Sequence, residues 1–94
     1  MENLVNITMA NSNFWYKKKV LVTGHTGFKG SWLCIWLHSM GAVVKGYSLA
    51  PQTEPNLFQI ANVFDLVESE INDIRDFVSL RACVEKFKPQ IVFH

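Results

Sequence analysis

Short apolar runs alternate with amphipathic segments along this chain, and the alternation predicts its secondary structure. The apolar runs predict four strands, at residues 18–23, 42–47, 67–72 and 90–94. The spacing of apolar residues between them predicts helices at residues 28–40 and 77–87, and a short helix at residues 57–61. Strands that alternate with helices form parallel sheets with right-handed crossovers. The sequence therefore predicts an α/β fold with helices on both faces of one parallel sheet.

Both longer helices are predicted to carry one apolar face. In the first helix the apolar positions are Leu33, Trp36, Leu37 and Met40. Gly41 follows, at the place where helices commonly end. In the second helix the apolar positions are Phe77, Leu80, Cys83, Val84 and Phe87. Asp76 is the expected N-cap of this helix, and Pro89 ends it. Both faces are expected to pack on the sheet, with Trp32 and Trp36 as packing residues.

Three glycines separate the first predicted strand from the first helix. Gly24, Gly27 and Gly30 form the pattern G-x-x-G-x-x-G directly after the apolar residues 20–22. Gly24 allows a tight turn, Gly27 leaves room for a phosphate near the backbone, and Gly30 allows the helix to pack close to the strand. The first N–H groups of the helix can then receive a pyrophosphate. A plain turn would also contain glycines, but the strand before it and the striped helix after it favour nucleotide binding.

The order of the elements indicates how the strands are arranged. We expect the strand order 3-2-1-4, which is the first half of a doubly wound, Rossmann-type dinucleotide-binding sheet. The fourth strand would then present an edge that a fifth strand normally covers. We therefore expect residues 14–94 to be the N-terminal part of a larger NAD(P)-binding domain, truncated and weakly stable alone. Residues 1–13 are rich in Asn, lack the pattern of a secretory signal, and are expected to form a disordered leader.

Composition limits the possible functions. The chain has 94 residues, a formal net charge of +1 and 49% hydrophobic residues, which is typical of a globular domain and does not indicate a nucleic-acid partner. No apolar stretch reaches the ~20 residues of a membrane span, so no membrane partner is predicted. Cys34 and Cys83 lack the spacing of a metal or redox pair. We predict no metal site and interpret both as buried thiols in a reducing cytoplasm.

Five segments resemble the extended short-chain dehydrogenase/reductase superfamily, and within it the sugar-nucleotide 4,6-dehydratases. They are GHTGFKGSW at 24–32, GYSLAP at 46–51, NLF at 56–58, DIRD at 73–76 and IVFH at 91–94. The resemblance implies an NAD-dependent lyase that oxidises a nucleotide sugar, CDP-glucose, at C4, eliminates water across C5–C6 and returns the hydride to C6. It also implies a cytoplasmic homo-oligomer that supplies deoxysugars for bacterial surface polysaccharides such as O-antigen in lipopolysaccharide.

The resemblance also assigns cofactor contacts by position. Backbone groups near the pyrophosphate are expected at Gly24, Thr26, Gly27, Phe28 and Lys29. Gly30 is expected to seat the helix, and Asp73 and Ile74 match the Asp-Ile pair that flanks the adenine. For His25 we expect the backbone to matter more than the ring. Arg75, just before a helix N-cap, is interpreted as a solvated side chain.

Ser48 departs from the usual pattern of this fold. It stands at the end of the second strand, where NAD sites usually carry an acid and NADP sites have an arginine nearby. No Asp or Glu occurs between Thr23 and Glu54. A serine hydroxyl can bond a ribose hydroxyl without repelling a 2′-phosphate, and Lys29 or Lys45 could attract one. The resemblance favours NAD as the cofactor, and the residues leave NADP open.

The catalytic residues of this superfamily are expected beyond His94. Tyr16 and Tyr47 are not followed four residues later by the lysine of a Tyr-x-x-x-Lys pair. The chain by itself is therefore expected to be catalytically inactive. Two alternatives stay open: another epimerase or reductase of the same fold, and a non-catalytic NAD(P)-binding regulator.

Overall fold

The computed structural model describes residues 14–94, so the expected leader at residues 1–13 lies outside the described residues. The elements, in chain order, are β1 (Lys19–Thr23), α1 (Phe28–Ser39), β2 (Val43–Ser48), α2 (Leu57–Ile60), α3 (Val63–Leu66), β3 (Glu68–Ile71), α4 (Phe77–Phe87) and β4 (Ile91–Phe93). Every predicted strand and helix is present within one or two residues of its expected bounds. The exception is α3, which the sequence did not predict.

The four strands form one parallel sheet in the order β3-β2-β1-β4, which confirms the predicted α/β fold and strand order. Val22 of β1 pairs with Gly46 of β2 on one side and with Phe93 of β4 on the other. The carboxyl ends of all four strands therefore lie along one edge of the sheet. At this edge lie residues 24–30, here called the glycine segment, together with Ser48 at the end of β2 and Asp73 after β3.

One face of the sheet, here called the α1 face, is covered by α1, α2 and α3. Side chains of a strand alternate between the two faces, and the alternate apolar residues of β1 and β2 point to this side. Its buried core comprises Val20, Val22, Cys34, Leu37, Met40, Ala42, Val44, Phe58, Val63 and Val67. A parallel sheet needs such cover on both faces, and this face has it.

Helix α1 buries most of the apolar face that its spacing predicted, because Leu37 and Met40 are buried and Leu33 is half-buried. The buried residues of the helix are Ser31, Cys34 and Leu37, followed by Met40 at the C-cap. Trp32 is 57% exposed and Trp36 is also exposed, so the expectation that both are packing residues was wrong for the described part of the chain. Small side chains at the buried positions let the helix lie close to the strands, whereas an indole there would hold it away.

The opposite face of the sheet, here called the α4 face, is covered by α4. Its buried residues are Leu21, Tyr47 and Cys83. Asp76 caps α4 as predicted, because its side chain accepts a hydrogen bond from the backbone N–H of Ser79. The predicted apolar face of α4 is only partly buried: Cys83 and Phe87 are covered, but Phe77 is 79% exposed. Val78, the next residue, is likewise exposed, so the first turn of α4 is largely uncovered.

Two further predictions can be checked against residues 14–94. Cys34 and Cys83 are buried, unpaired thiols, as expected. Burial raises the pKa of Cys34 to about 12, so the thiol stays protonated. No helix in this part of the chain is long and apolar enough to cross a membrane.

Candidate functional site

The turn between β1 and α1 places free backbone N–H groups at the carboxyl edge of the sheet. Gly24 has a φ of 76°, which favours glycine, and its N–H donates to the carbonyl of Tyr47 at 3.0 Å. The N–H of Gly27 donates to the carbonyl of Gly24 at 3.1 Å, and Ser31 makes the first helical bond, to Gly27 at 2.8 Å. The N–H groups of residues 28–30 precede that bond and have no intrahelical acceptor. Together with the helix dipole they form an anion-binding end.

Gly30 and Gly27 differ in the space around them. A Cβ on Gly30 would overlap the backbone carbonyl of Gly24 and also crowd the Cα of His25. A Cβ on Gly27 would meet only the carbonyl oxygen of Gly24, at an ordinary 3.5 Å. Gly30 therefore sets how closely α1 approaches the strand end, whereas Gly27 keeps the mouth of the turn free of a side chain.

The ring of His25 is fully buried on the α1 face, so it has a packing role that the sequence analysis did not predict. The ring lies over Gly46 of β2, where any Cβ would overlap it, and meets the edge of the Phe58 ring at a centroid distance of 5.4 Å. Its Nε2 is 2.6 Å from the Oγ of Ser69 in β3. This single side chain joins the glycine segment to β2, β3 and α2. A glycine inside a predicted strand was the signal that could have indicated such a close approach.

The His25 imidazole is held in its neutral form. Burial first, and the charge of Lys45 second, lower the pKa of His25 from 6.5 to about 4. Within residues 14–94 its Nδ1 has no hydrogen-bond partner. A lone acceptor is less costly than a lone buried donor, which places the proton on Nε2, where it is donated to Ser69.

Two hydroxyl groups meet where the glycine segment passes the end of β2. The Oγ1 of Thr26 donates to the backbone carbonyl of Leu49 at 2.8 Å and lies 3.1 Å from the Oγ of Ser48. The sequence analysis predicted a cofactor contact at both residues, Thr26 in the turn after β1 and Ser48 at the end of β2. The structure places their side chains next to each other. Thr26 is buried, whereas Ser48 is partly exposed at the cleft.

Asp73 follows β3, and its carboxylate forms an ion pair with Arg75. The Nη2 and Nε of Arg75 donate to its carboxylate at 2.7 and 3.1 Å, and the backbone N–H of Arg75 donates to it at 2.9 Å. These bonds lower the pKa of Asp73 to about 2. Arg75 was interpreted as solvated; it is exposed, but its guanidinium is paired with Asp73. The hydroxyl of Tyr47 donates to the carbonyl of Asp73 at 3.3 Å and anchors this loop on the sheet.

These loops enclose a cleft of about 450 Å³ at the carboxyl ends of the strands. Six of the nine predicted cofactor residues line it: Gly24, Thr26, Gly27, Ser48, Asp73 and Ile74. The other three, Phe28, Lys29 and Gly30, lie in the first turn of α1 outside the lining, and the side chain of Phe28 is 70% exposed.

Lys45 lies away from this cleft, which corrects the idea that it could attract a 2′-phosphate. Its Nζ is 3.2 Å from an oxygen of Glu68 and 3.5 Å from an oxygen of Glu70. All three side chains line a second cavity, of about 480 Å³, between α4 and the sheet. Lys45 follows the alternation of β2 and points to the α4 face, whereas the ring of His25 packs on the α1 face.

The residues of the cleft suit a dinucleotide. Its free N–H groups and two glycine positions without side chains can receive a pyrophosphate, its hydroxyl oxygens can bond a ribose, and the loop of Asp73 and Ile74 has the polar and apolar surface that a base needs. In the part of the chain that the structure describes, no group of three His, Cys, Asp or Glu side chains is placed to hold a metal ion.

Comparison with known proteins agrees with this geometry. The model of the NAD dependent epimerase/dehydratase family matches residues 20–94. A CDP-glucose 4,6-dehydratase from Salmonella typhimurium is 60% identical over 86 residues, which are 92% of this chain and 24% of that protein. The chain thus spans about a quarter of the length of this relative. The chain belongs to the NAD dependent epimerase/dehydratase family, which indicates a nicotinamide dinucleotide as its cofactor.

Proposed function

We propose that this chain is the N-terminal, cofactor-binding part of a 4,6-dehydratase that acts on CDP-glucose. The observation that carries the proposal is the 60% identity to a CDP-glucose 4,6-dehydratase, found in a chain whose strand-end cleft suits a dinucleotide. The proposed reaction oxidises the glucose ring at C4, eliminates water across C5–C6 and reduces C6. The product is CDP-4-keto-6-deoxyglucose, and the cofactor ends each turnover in its starting oxidation state, so the enzyme is a lyase.

In this proposal the described residues bind and orient the cofactor. When bound, NAD⁺ would take the hydride from C4, and the NADH so formed would return it to C6. The N–H groups at the start of α1, with Gly24 and Gly27, hold the pyrophosphate. Ser48 bonds the adenosine ribose, and Asp73 and Ile74 hold the adenine. Gly30 and the buried ring of His25 fix the position of the loop, so that a bound dinucleotide lies along the sheet edge in one orientation.

The remaining parts of the proposal concern the full-length enzyme. We expect its Tyr-x-x-x-Lys pair and the acid and base for elimination beyond His94, so residues 14–94 bind cofactor without catalysing the reaction. The enzyme is proposed to work in the cytoplasm as a homo-oligomer with no nucleic-acid or membrane partner, in the synthesis of deoxysugars for bacterial surface polysaccharides. The free, buried thiols of Cys34 and Cys83 support a reducing compartment.

The test is to incubate the full-length protein with NAD and CDP-glucose, and separately with dTDP-glucose, and to measure 4-keto-sugar together with NADH. The proposal predicts conversion of CDP-glucose alone, without net accumulation of NADH. Conversion of dTDP-glucose alone would contradict the proposed substrate. Conversion of neither sugar by a protein that binds NAD would favour an epimerase, a reductase or a non-catalytic regulator.

A further inference from the structure

The outer side of α1 carries a stripe of aromatic residues that has little cover among residues 14–94. Phe28, Trp32 and Trp36 are spaced four residues apart, so their side chains lie next to each other along two turns of the helix. They are 70%, 57% and 39% exposed. We propose that this aromatic stripe is the docking surface for a helix from the part of the full-length protein that follows residue 94. The inference rests on the part of the proposed function that makes this chain the N-terminal part of a longer enzyme.

The chemistry of the aromatic stripe differs from that of a helix side that faces water. On α4 the exposed residues Arg81 and Glu85 are also four residues apart, and they form an ion pair with an N–O distance of 3.0 Å. The same spacing on α1 leaves two indoles and a phenyl ring exposed. Contiguous apolar patches on a protein surface often mark an interaction site. The outer side of α1 therefore suits contact with another apolar surface.

The area of the aromatic stripe fits a single helix better than a second copy of the protein. An aromatic side chain buries about 150 to 250 Å², so the exposed fractions of these three leave roughly 300 to 400 Å² for a partner. A stable interface between two proteins buries about 800 Å² on each partner. A helix of the same polypeptide needs less area, because it loses no translational freedom on docking. A ridge of residues four apart is also the feature that packs into the groove of a second helix.

The topology of the sheet leaves room for such a helix on the α1 face. Helix α1 lies on this face because the chain moves from β1 to β2, whereas α4 lies on the other face because the chain moves in the opposite direction, from β3 to β4. A further right-handed crossover away from β4 would again place its helix on the α4 face. Since parallel sheets are covered on both faces, the α1 face beyond β4 needs a later segment that returns to it. The dehydratase relative, of which this chain spans 24%, is long enough to contain one.

Photo-crosslinking of the full-length protein tests the inference. The photoprobe p-benzoylphenylalanine replaces Trp32, and a mixture of light and heavy-isotope protein is irradiated and analysed by peptide mass spectrometry. We expect a cross-link from position 32 to a segment beyond residue 94 of the same polypeptide, with no mixed-isotope product. The matched control carries the same probe in place of Phe64, which is 62% exposed on α3 and lies outside the aromatic stripe. It should give no cross-link to that segment.

Each other occupant gives a different product. A mixed-isotope cross-link would show a second copy on the aromatic stripe, and a cross-link to residues 1–13 would show the leader there. Absence of any cross-link from position 32 would show a surface open to water. Each of these three results would overturn the inference. None of them depends on the sugar nucleotide, so the inference can fail while CDP-glucose is still converted, and the reverse also holds.

The stability of the full-length protein gives a second measurement. Trp32→Gln should lower its Tm by about 4 °C or more, because a docked indole would be replaced by a polar group. Phe64→Gln, at a position of similar exposure in residues 14–94, should change the Tm by less than about 2 °C. Equal shifts in the two variants would contradict a docked helix at Trp32.

Discussion

The two faces of the sheet are built from the same four strands but differ in packing and in charge. On the α1 face, a continuous apolar core and the absence of a side chain at Gly46 let the turn between β1 and α1 pack against the strands, with the ring of His25 between them. On the α4 face, three buried residues form the core within residues 14–94, and the paired side chains of Lys45, Glu68 and Glu70 line a cavity of about 480 Å³. This cavity is slightly larger than the cleft at the strand ends, yet it lacks the helix N-terminus and the strand-end loops. Cavity volume therefore does not identify the candidate dinucleotide site. Free backbone N–H groups next to a tightly packed face do.

The largest expected effect comes from breaking the close approach of α1. Gly30→Ala should destabilise the full-length protein by more than about 3 kcal/mol, because the new Cβ overlaps backbone that cannot rotate away. Gly27→Ala is the matched control in the same loop: its Cβ has ordinary space, so stability should change by less than about 1 kcal/mol while NAD affinity falls. Urea unfolding and NAD titration measure both. Equal destabilisation by the two variants would refute this account of the glycines.

Gly46→Ala tests the packing of β2 against His25 of the glycine segment. The Cβ overlaps the ring of His25, and we expect a loss of about 2 to 3 kcal/mol in the free energy of unfolding. The double variant Gly46→Ala with His25→Ala should be more stable than additivity predicts, because the smaller side chain removes the overlap. Denaturant melts of the four proteins complete the cycle, and strict additivity would show that the two residues are not in contact.

The buried imidazole should make stability depend on pH. With a pKa of about 4 in the folded protein and 6.5 in the unfolded chain, His25 binds its proton more readily when unfolded, so stability is lost as the pH falls below 6.5. Between pH 7 and pH 5 the loss from this group is about 2 kcal/mol. Asp73, with a folded pKa of about 2, contributes only as the pH falls from 3.8 towards 2, below this range.

Thermal melts between pH 7 and pH 5 distinguish the contribution of His25 from that of the other titratable groups. His25→Gln cannot titrate, so it should lose most of the pH dependence between pH 7 and pH 5. His38→Gln, the same substitution at an exposed position of α1, should retain it. Parallel curves for both variants would show that another group is responsible.

The smallest effect is expected on the α4 face. Lys45→Met should change the free energy of unfolding by less than about 1 kcal/mol at pH 7, because Glu68 is largely exposed and water screens the pair. Removal of this charge should also raise the pKa of His25 toward 6.5, so less stability should be lost between pH 7 and pH 5.5 than in the unsubstituted protein. Melts at pH 7 and pH 5.5 test both effects, and a large loss at pH 7 would mean that the ion pairs stabilise this face as strongly as the apolar core stabilises the other.

The sequence predicts the sheet better than it predicts the helix contacts. Strand order follows from alternation of elements and the right-handed crossover rule, which need only the order of segments. Helix α3 escaped prediction because it has four residues and begins after Asn62, whose φ of 51° depends on the surrounding chain. The buried side of α1 was predicted only in part, because Ser31 also faces inward, with its hydroxyl donating to the carbonyl of His25 at 2.7 Å. A hydrophobic pattern cannot indicate a buried serine whose hydroxyl is satisfied by a hydrogen bond to a loop carbonyl.

The candidate site shows the same division. Glycine spacing and the end of the second strand indicated Gly24, Gly27 and Ser48, and the family resemblance added Thr26, Asp73 and Ile74. The structure places all six around one cleft. The burial of His25 was missed, because it depends on the absence of a side chain in β2 and on a hydroxyl in β3, both distant in sequence. The pairing of Lys45 with acids of β3 was missed for the same reason: it depends on strand register, which composition does not reveal.

The bond from His25 to Ser69 spans 44 residues and joins the turn between β1 and α1 to an edge strand of the sheet. β3 pairs with β2 on one side only within the described residues, and edge strands are where local opening usually starts. Any opening of β3 has to release His25, and release of His25 loosens the turn that is proposed to hold the dinucleotide. Cofactor bound at the carboxyl edge should therefore slow amide hydrogen exchange in β3, a strand that its pyrophosphate does not touch.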